Sequence, residues 1–140
     1  MDLETIKAKV KEHIEQSKAG LSKEDVKFDF KAKWHDLSTG PGKNEFLKDT
    51  SAIANTFGPD GFLVYGFDEK NNQFTGAKFS DSNLRDSNEL YGILVSGLGE
   101  AFDLNLYEIE IDGTFLSVLH IPPALNKPFV IKNYSTLLKS

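Results

Sequence analysis

Residues 44–68 read NEFLKDTSAIANTFGPDGFLVYGFD, and this stretch decides the fold of the chain. Its first half is predicted to be an amphipathic helix capped by Asn44, because a short carboxamide can accept a hydrogen bond from a free helix amide. After a turn of glycine and proline, the second half is an apolar run of strand length, typical of a strand covered on both faces. Asp68 stands where that strand ends. The residues predicted on the inner face of the helix recur at spacings of three and four, and they are Phe46, Leu47, Thr50, Ile53, Ala54 and Phe57.

The segments before this stretch carry two further patterns. Helical spacing of apolar residues predicts an N-terminal helix within residues 1–20. Strict alternation predicts a strand at residues 26–31, with one apolar face and one polar face. Asp29 and Lys31 share the polar face. Glycine, proline and small polar residues predict a loop at residues 34–43.

The segments after it predict a second helix and more strands. A helix is expected from residue 88 towards residue 98, and Asp112-Gly113 is a strong signal for a tight hairpin between two strands. Residues 128–131 suggest one more short strand. The predicted fold class is α+β, with a mixed, largely antiparallel sheet of about five strands and two to three packed helices.

Composition limits the class of protein. The chain has 140 residues and 39% hydrophobic content, so it is expected to form one domain over residues 1–140 with a sizeable core. No apolar segment approaches the roughly 20 residues that a membrane span needs. The lack of cysteine excludes disulfides and thiolate metal sites. We therefore expect a cytoplasmic protein that does not contact membranes.

The charge distribution bears on possible partners. The formal net charge of −5 argues against tight nucleic-acid binding, which needs local positive charge. Ten of the sixteen Lys and Arg residues nevertheless lie in the first 48 positions, so one face could be basic despite the net sign. Lysines that only solvate helix surfaces are the simpler explanation.

Three segments together resemble the Schlafen/AlbA-like domain family. They are DFK at residues 29–31, the 44–68 stretch with its central ANT and terminal GFD, and HIPPALNKPFVI at residues 120–131. The resemblance covers residues 24–131, with residues 1–20 as an additional N-terminal helix. It implies the α+β fold predicted above and a domain that acts on RNA or DNA.

In the animal Schlafen proteins, two such lobes form an endoribonuclease that cleaves structured RNA such as transfer RNA. The resemblance carries its three catalytic acids onto Glu24, Asp29 and Asp68, where they are also expected to be metal ligands. Clustered carboxylates of this kind can hold Mg²⁺ or Mn²⁺. Asp29 stands where the family pattern has the longer glutamate. The residues expected to contact the nucleic-acid backbone are Lys27, Lys31 and Lys33.

Local explanations of the same acids stay open. Asp68 can begin a turn, as aspartate commonly does. Asp29 can pair with Lys31 or Lys27, and Glu24 can be a solvated loop residue. No Ser/His/Asp arrangement or His pair at metal-binding spacing is present.

Three functions are therefore compatible with the sequence. The first is a metal-dependent endoribonuclease on structured RNA, and the second is a non-catalytic DNA- or RNA-binding module of a bacterial regulator. The third is a protein-interaction domain, which the acidic net charge favours. A lone lobe that acts on RNA is expected to work as a homodimer, with exposed strand edges as its interface.

Overall fold

The computed structural model describes residues 1–21, 27–123 and 128–131. Within these ranges the regular elements are three α-helices and six strands, with one short 3₁₀ helix at Phe79–Ser82. The helices are α1 (Leu3–Lys18), α2 (Gly40–Asn55) and α3 (Glu89–Leu98). The strands are β1 (Phe28–Lys31), β2 (Gly61–Tyr65), β3 (Phe67–Asp68), β4 (Gln73–Phe74), β5 (Asn105–Ile111) and β6 (Thr114–Ile121).

The main sheet has the strand order β1-β2-β6-β5. β1 and β2 are parallel, and the other neighbouring pairs are antiparallel. Parallel neighbours need a long crossover, and α2 supplies it. β3 and β4 form a separate two-stranded sheet. These elements confirm the α+β class, with four main strands and two short ones in place of about five.

Helices cover both faces of the main sheet. The core on the α1 side includes Phe62 and Val64 of β2, and the core on the side of α2 and α3 includes Leu63 and Tyr65. Every residue of β2 is therefore buried, as the apolar run predicted. The Asp112-Gly113 hairpin is also confirmed, because both turn residues have positive φ and the strands around them pair.

The start of α2 differs from the prediction. Thr39 caps the helix, and its hydroxyl oxygen accepts a hydrogen bond from the Gly42 N–H at 3.0 Å. Pro41 lies in the first turn, where its missing N–H leaves no helix bond unmade. The predicted loop is therefore shorter, and Asn44 is a buried residue within the helix rather than its cap.

The end of α2 also corrects two predictions. The helix stops at Asn55, so Phe57 lies beyond it and is 92% exposed instead of packing inwards. The Asn55 carboxamide donates to the Phe129 carbonyl at 2.8 Å and accepts from the Phe129 N–H at 2.7 Å. These two bonds satisfy the backbone of residue 129 without a sheet partner, and residues 128–131 form no strand.

Candidate functional site

The polar face of β1 packs against α2. Side chains alternate along the strand, so Phe28 and Phe30 join the core on the α1 side while Asp29 and Lys31 point the other way. The Lys31 ammonium lies 3.7 Å from an Asp29 carboxylate oxygen and 3.4 Å from a carboxylate oxygen of Asp49 on α2. The predicted pairing of Asp29 with Lys31 is therefore present, and a second acid joins it.

Two further residues extend this group. His35 Nε2 lies 3.0 Å from Asp49 Oδ2, and His35 Nδ1 lies 2.7 Å from the Tyr65 hydroxyl oxygen. With its proton on Nε2, His35 donates to Asp49 and accepts at Nδ1 from the Tyr65 hydroxyl, because a carboxylate can only accept. Asp29, Lys31, His35, Asp49 and Tyr65 are called the β1 cluster below.

The buried end of the β1 cluster is structural. Tyr65 is fully buried, and its ring stacks on that of Trp34 with centroids 3.9 Å apart. Trp34 in turn donates from its indole N–H to the Ser117 hydroxyl at 2.9 Å. Since the Tyr65 hydroxyl has no path to a substrate, the Asp49–His35–Tyr65 chain holds the loop after β1 in place and does not act as a nucleophile relay.

At the exposed end of the β1 cluster, the pKa values of Asp29 and Asp49 shift in opposite directions. Burial raises the pKa of Asp29 and outweighs the opposing charge of Lys31. Burial also acts to raise the pKa of Asp49, but the His35 contact and the Lys31 charge together lower it below its usual value. The two carboxylates and the one ammonium sum to a charge of −1, and a proton on Asp29 brings that sum to zero.

Asp68 has different partners. It ends β3, where its carboxylate oxygens accept from the Asn71 side-chain amide at 2.7 Å and from the Asn71 backbone N–H at 3.2 Å. The side-chain bond, and to a smaller extent the backbone bond, lowers the pKa of Asp68. The carboxylate therefore closes the β3–β4 turn, as the local explanation expected.

The three acids expected to hold a metal cannot be placed as a set. Glu24 lies outside the described residues. Asp29 contacts Lys31 and Asp68 contacts Asn71. Within residues 1–21, 27–123 and 128–131, no three Asp, Glu or His side chains form a group that could hold a metal ion.

The lysines expected at the nucleic-acid backbone differ in exposure. Lys27 is only 6% exposed, and its ammonium donates to the Ile53 carbonyl near the end of α2 at 3.0 Å. This bond stabilises a helix terminus, and a phosphate contact by Lys27 stays a prediction. Lys31 is about one-third exposed, and Lys33 is exposed.

Sequence reasoning missed His35, Asp49 and Tyr65. The available signal was the succession of a strand, a helix and a strand. If the two strands pair in parallel, the helix between them crosses over one face of β1. Asp49 lies beside the buried residues Phe46 and Thr50 of that helix. An acid at the edge of the buried face of α2 can face the polar side of β1.

With the geometry described, the chain can be compared with known proteins. The family model described as Schlafen, AlbA_2 matches residues 24–139. The chain belongs to this family. The match identifies a Schlafen, AlbA_2 domain and confirms the resemblance drawn from residues 24–131. No curated protein sequence matches it.

Two solved structures share the fold of this Schlafen, AlbA_2 domain. One is the N-terminal domain of a protein named as related to the ATP-dependent DNA helicase RecG, from Nitrosomonas europaea, with 20% identity and a TM-score of 0.59 over 86% of this chain and 78% of that chain. The other is the DIP2311 protein from Corynebacterium diphtheriae, with 18% identity and a TM-score of 0.56 over 89% of this chain and 23% of that chain. The Schlafen, AlbA_2 chain thus spans about a quarter of the second protein. In the part of it that the structure describes, no helix is long and apolar enough to cross a membrane.

Proposed function

We propose that this chain is a nucleic-acid-binding module that contacts the phosphate backbone beside β1. Membership of the Schlafen, AlbA_2 family is the observation that carries the proposal. The solved relative from Nitrosomonas europaea is named after a DNA helicase, which agrees with a nucleic-acid context but shows only a shared fold.

The distribution of charge supports the β1 side. No Lys or Arg occurs between residues 86 and 126, a range that includes α3, β5 and β6. Lysines instead occur on β1, in the loop after it and on α2, and also on α1, which contacts both β5 and Phe28 of β1. A polyanion is attracted by local positive charge, so it approaches the β1 side. Lys31 and Lys33 are the proposed phosphate contacts.

The β1 cluster gives this interface a physical mechanism. Lys31 is held between two carboxylates, so its charge is largely compensated in the free protein. A proton on Asp29, whose pKa is raised by burial, removes the net negative charge and leaves the ammonium available to a phosphate oxygen. Binding is therefore expected to strengthen as the pH falls, because the polyanion favours the protonated cluster.

Metal-dependent endoribonuclease activity on structured RNA stays a prediction of the resemblance. It requires Glu24, Asp29 and Asp68 to converge around Mg²⁺ or Mn²⁺. The contacts of Asp29 with Lys31 and of Asp68 with Asn71 do not fit a shared ion. For this reason we favour binding without cleavage.

Fluorescence anisotropy tests the binding proposal. Labelled single-stranded RNA, transfer RNA and duplex DNA are titrated at several salt concentrations with the wild-type chain and the Lys33→Gln variant. Loss of one phosphate contact should weaken binding about three- to tenfold and reduce the slope of log K against log salt by about one. Lys78→Gln is the matched control, because Lys78 lies over the Phe115 ring of β6.

The two readouts separate the functions. Equal affinities of wild type, Lys33→Gln and Lys78→Gln would contradict an interface beside β1. Incubating transfer RNA with Mn²⁺ and either wild type or Asp68→Asn tests the nuclease. Cleavage by the wild type alone would show that the chain is an enzyme and not only a binding module.

A further inference from the structure

The outer side of β5 carries backbone hydrogen-bonding groups that no other described strand uses. β5 is an edge strand of the main sheet. In a two-residue hairpin the residues that flank the turn, here Ile111 and Thr114, exchange both hydrogen bonds, and bonded pairs then alternate along the ladder. The N–H and C=O groups of Leu106, Glu108 and Glu110 therefore point away from β6. No strand among the described residues pairs with them.

A cleft borders the same edge. It has a volume of about 340 Å³ and lies between the start of α3 and β5. Most of its accessible lining is polar and includes Ser87, Asn88 and Asn105, while Leu90 and Leu104 are almost fully buried and Leu106 is only partly buried. The Tyr91 hydroxyl donates to the Leu104 carbonyl and fixes one end of the cleft.

The segment of the chain that contains this edge carries only acidic charges, although the lysine-bearing helix α1 also contacts β5. Residues 86–123 include seven acids and no Lys or Arg. Glu108 and Glu110 project from β5 on the same face as Leu106, because alternate residues of a strand share a face. A second copy paired antiparallel along β5 would place its glutamates against these, and like charges opposite each other are destabilising. A nucleic acid would meet the same repulsion.

We propose that β5 binds an extended basic peptide of a partner protein by strand addition. The peptide backbone pairs with the outward groups of Leu106, Glu108 and Glu110, and one apolar side chain packs on the partly exposed Leu106 at the mouth of the cleft. Two Lys or Arg side chains lie opposite the two glutamates. In the antiparallel orientation the recognised pattern is basic-x-basic-x-apolar. Main-chain bonds supply affinity in this mode, and the alternate side chains supply specificity.

The test uses the full chain and two labelled peptides, one containing Lys-Thr-Lys-Thr-Leu and the other Glu-Thr-Glu-Thr-Leu. The basic peptide is expected to bind about tenfold or more tightly than the acidic one, since two cross-strand charge pairs change sign. In amide NMR spectra, the basic peptide should shift the signals of Leu106, Glu108 and Glu110.

Charge-reversed variants separate a defined site from general attraction. Glu110→Lys is expected to weaken the basic peptide about three- to tenfold, while Glu12→Lys on the exposed side of α1 changes its affinity less than twofold. Equal weakening by both variants would overturn the proposal.

Two further results would also overturn it. One is slow hydrogen exchange at the Leu106, Glu108 and Glu110 amides in the protein without peptide, because the edge would then already be paired. The other is a shift of these amide signals by an RNA oligonucleotide. Both outcomes are independent of whether nucleic acid binds beside β1, so this proposal can fail while the binding function stands.

Discussion

Replacing Asp49 by asparagine should strengthen nucleic-acid binding and weaken the fold at the same time. The substitution keeps the shape of the side chain but removes one of the two carboxylates around the Lys31 ammonium, the one 3.4 Å away. The net charge of the β1 cluster changes from −1 to zero, which frees Lys31 for a phosphate. One additional contact corresponds to an affinity about three- to tenfold higher at low salt and a salt slope steeper by about 0.9.

The cost to stability follows from the same contacts. Asp49 loses its ion pair with Lys31, which is about one-third exposed and so contributes at most about 1 kcal/mol. It also loses the charged contact with His35 at 3.0 Å, although the amide oxygen retains part of it. We expect a free energy of unfolding about 1–2 kcal/mol lower, or a Tm lower by a few degrees.

Anisotropy titrations and urea denaturation of the same preparations measure both effects. Asp112→Asn is the control, because it removes the same charge at the hairpin turn of the opposite edge, where φ is positive and asparagine is well tolerated. It should change affinity less than twofold and leave stability nearly unchanged. A folded Asp49→Asn protein that binds no more tightly than Asp112→Asn would refute the role assigned to Lys31.

One matched pair of substitutions tests the packing of α3 on α2. A second pair tests the electrostatics of Asp29 and Asp68. Gly97→Ala should lower the free energy of unfolding by about 1–2 kcal/mol, because the new Cβ would lie 2.3 Å from a methyl carbon of buried Leu47. Gly92→Ala on the same helix meets nothing within 4 Å and should raise the free energy of unfolding by about 0.5–1 kcal/mol. Urea titrations that give both changes the same sign would contradict the packing of α3 on α2. Asp29→Asn should gain stability relative to wild type as the pH rises from 3 to 7, since burial raises the pKa of Asp29 and its folded form binds more protons than its unfolded form in that range. Asp68→Asn should lose stability relative to wild type over the same range, since the Asn71 hydrogen bonds lower the pKa of Asp68; thermal melts at several pH values show whether the two trends oppose each other.

Local patterns predicted much of the fold. The N-terminal helix, the buried β2 strand and the Asp112-Gly113 hairpin each depend on periodicity or turn chemistry within a few residues, and all three are found. The errors occur where several signals compete over a short range. Asn44 and Thr39 can both cap a helix, and Pro41 decides for Thr39 because it fits the first turn.

Long-range contacts explain the other errors. The helical spacing that includes Phe57 continues past the true end of α2, where Asn55 bonds to the backbone of Phe129, 74 residues later. Residues 128–131 have strand-like composition, yet their described backbone bonds go to that side chain. Asp49 meets Lys31 and His35 only because α2 crosses β1. Sequence spacing contains none of these contacts, so the candidate site was predicted only for Asp29 and Lys31.

The contacts of Lys31 also affect how Asp29 could bind a divalent cation. An ammonium 3.4 and 3.7 Å from two carboxylates supplies the positive charge that a divalent cation would otherwise supply. A hydrated Mg²⁺ ion at Asp29 would have to displace this tethered charge and also lose part of its water shell. A phosphate oxygen can replace the Asp29 carboxylate at the lysine once that carboxylate takes up a proton. The described contacts of Asp29 therefore support a residue that sets the charge available at Lys31, and its role as a metal ligand stays a prediction of the resemblance.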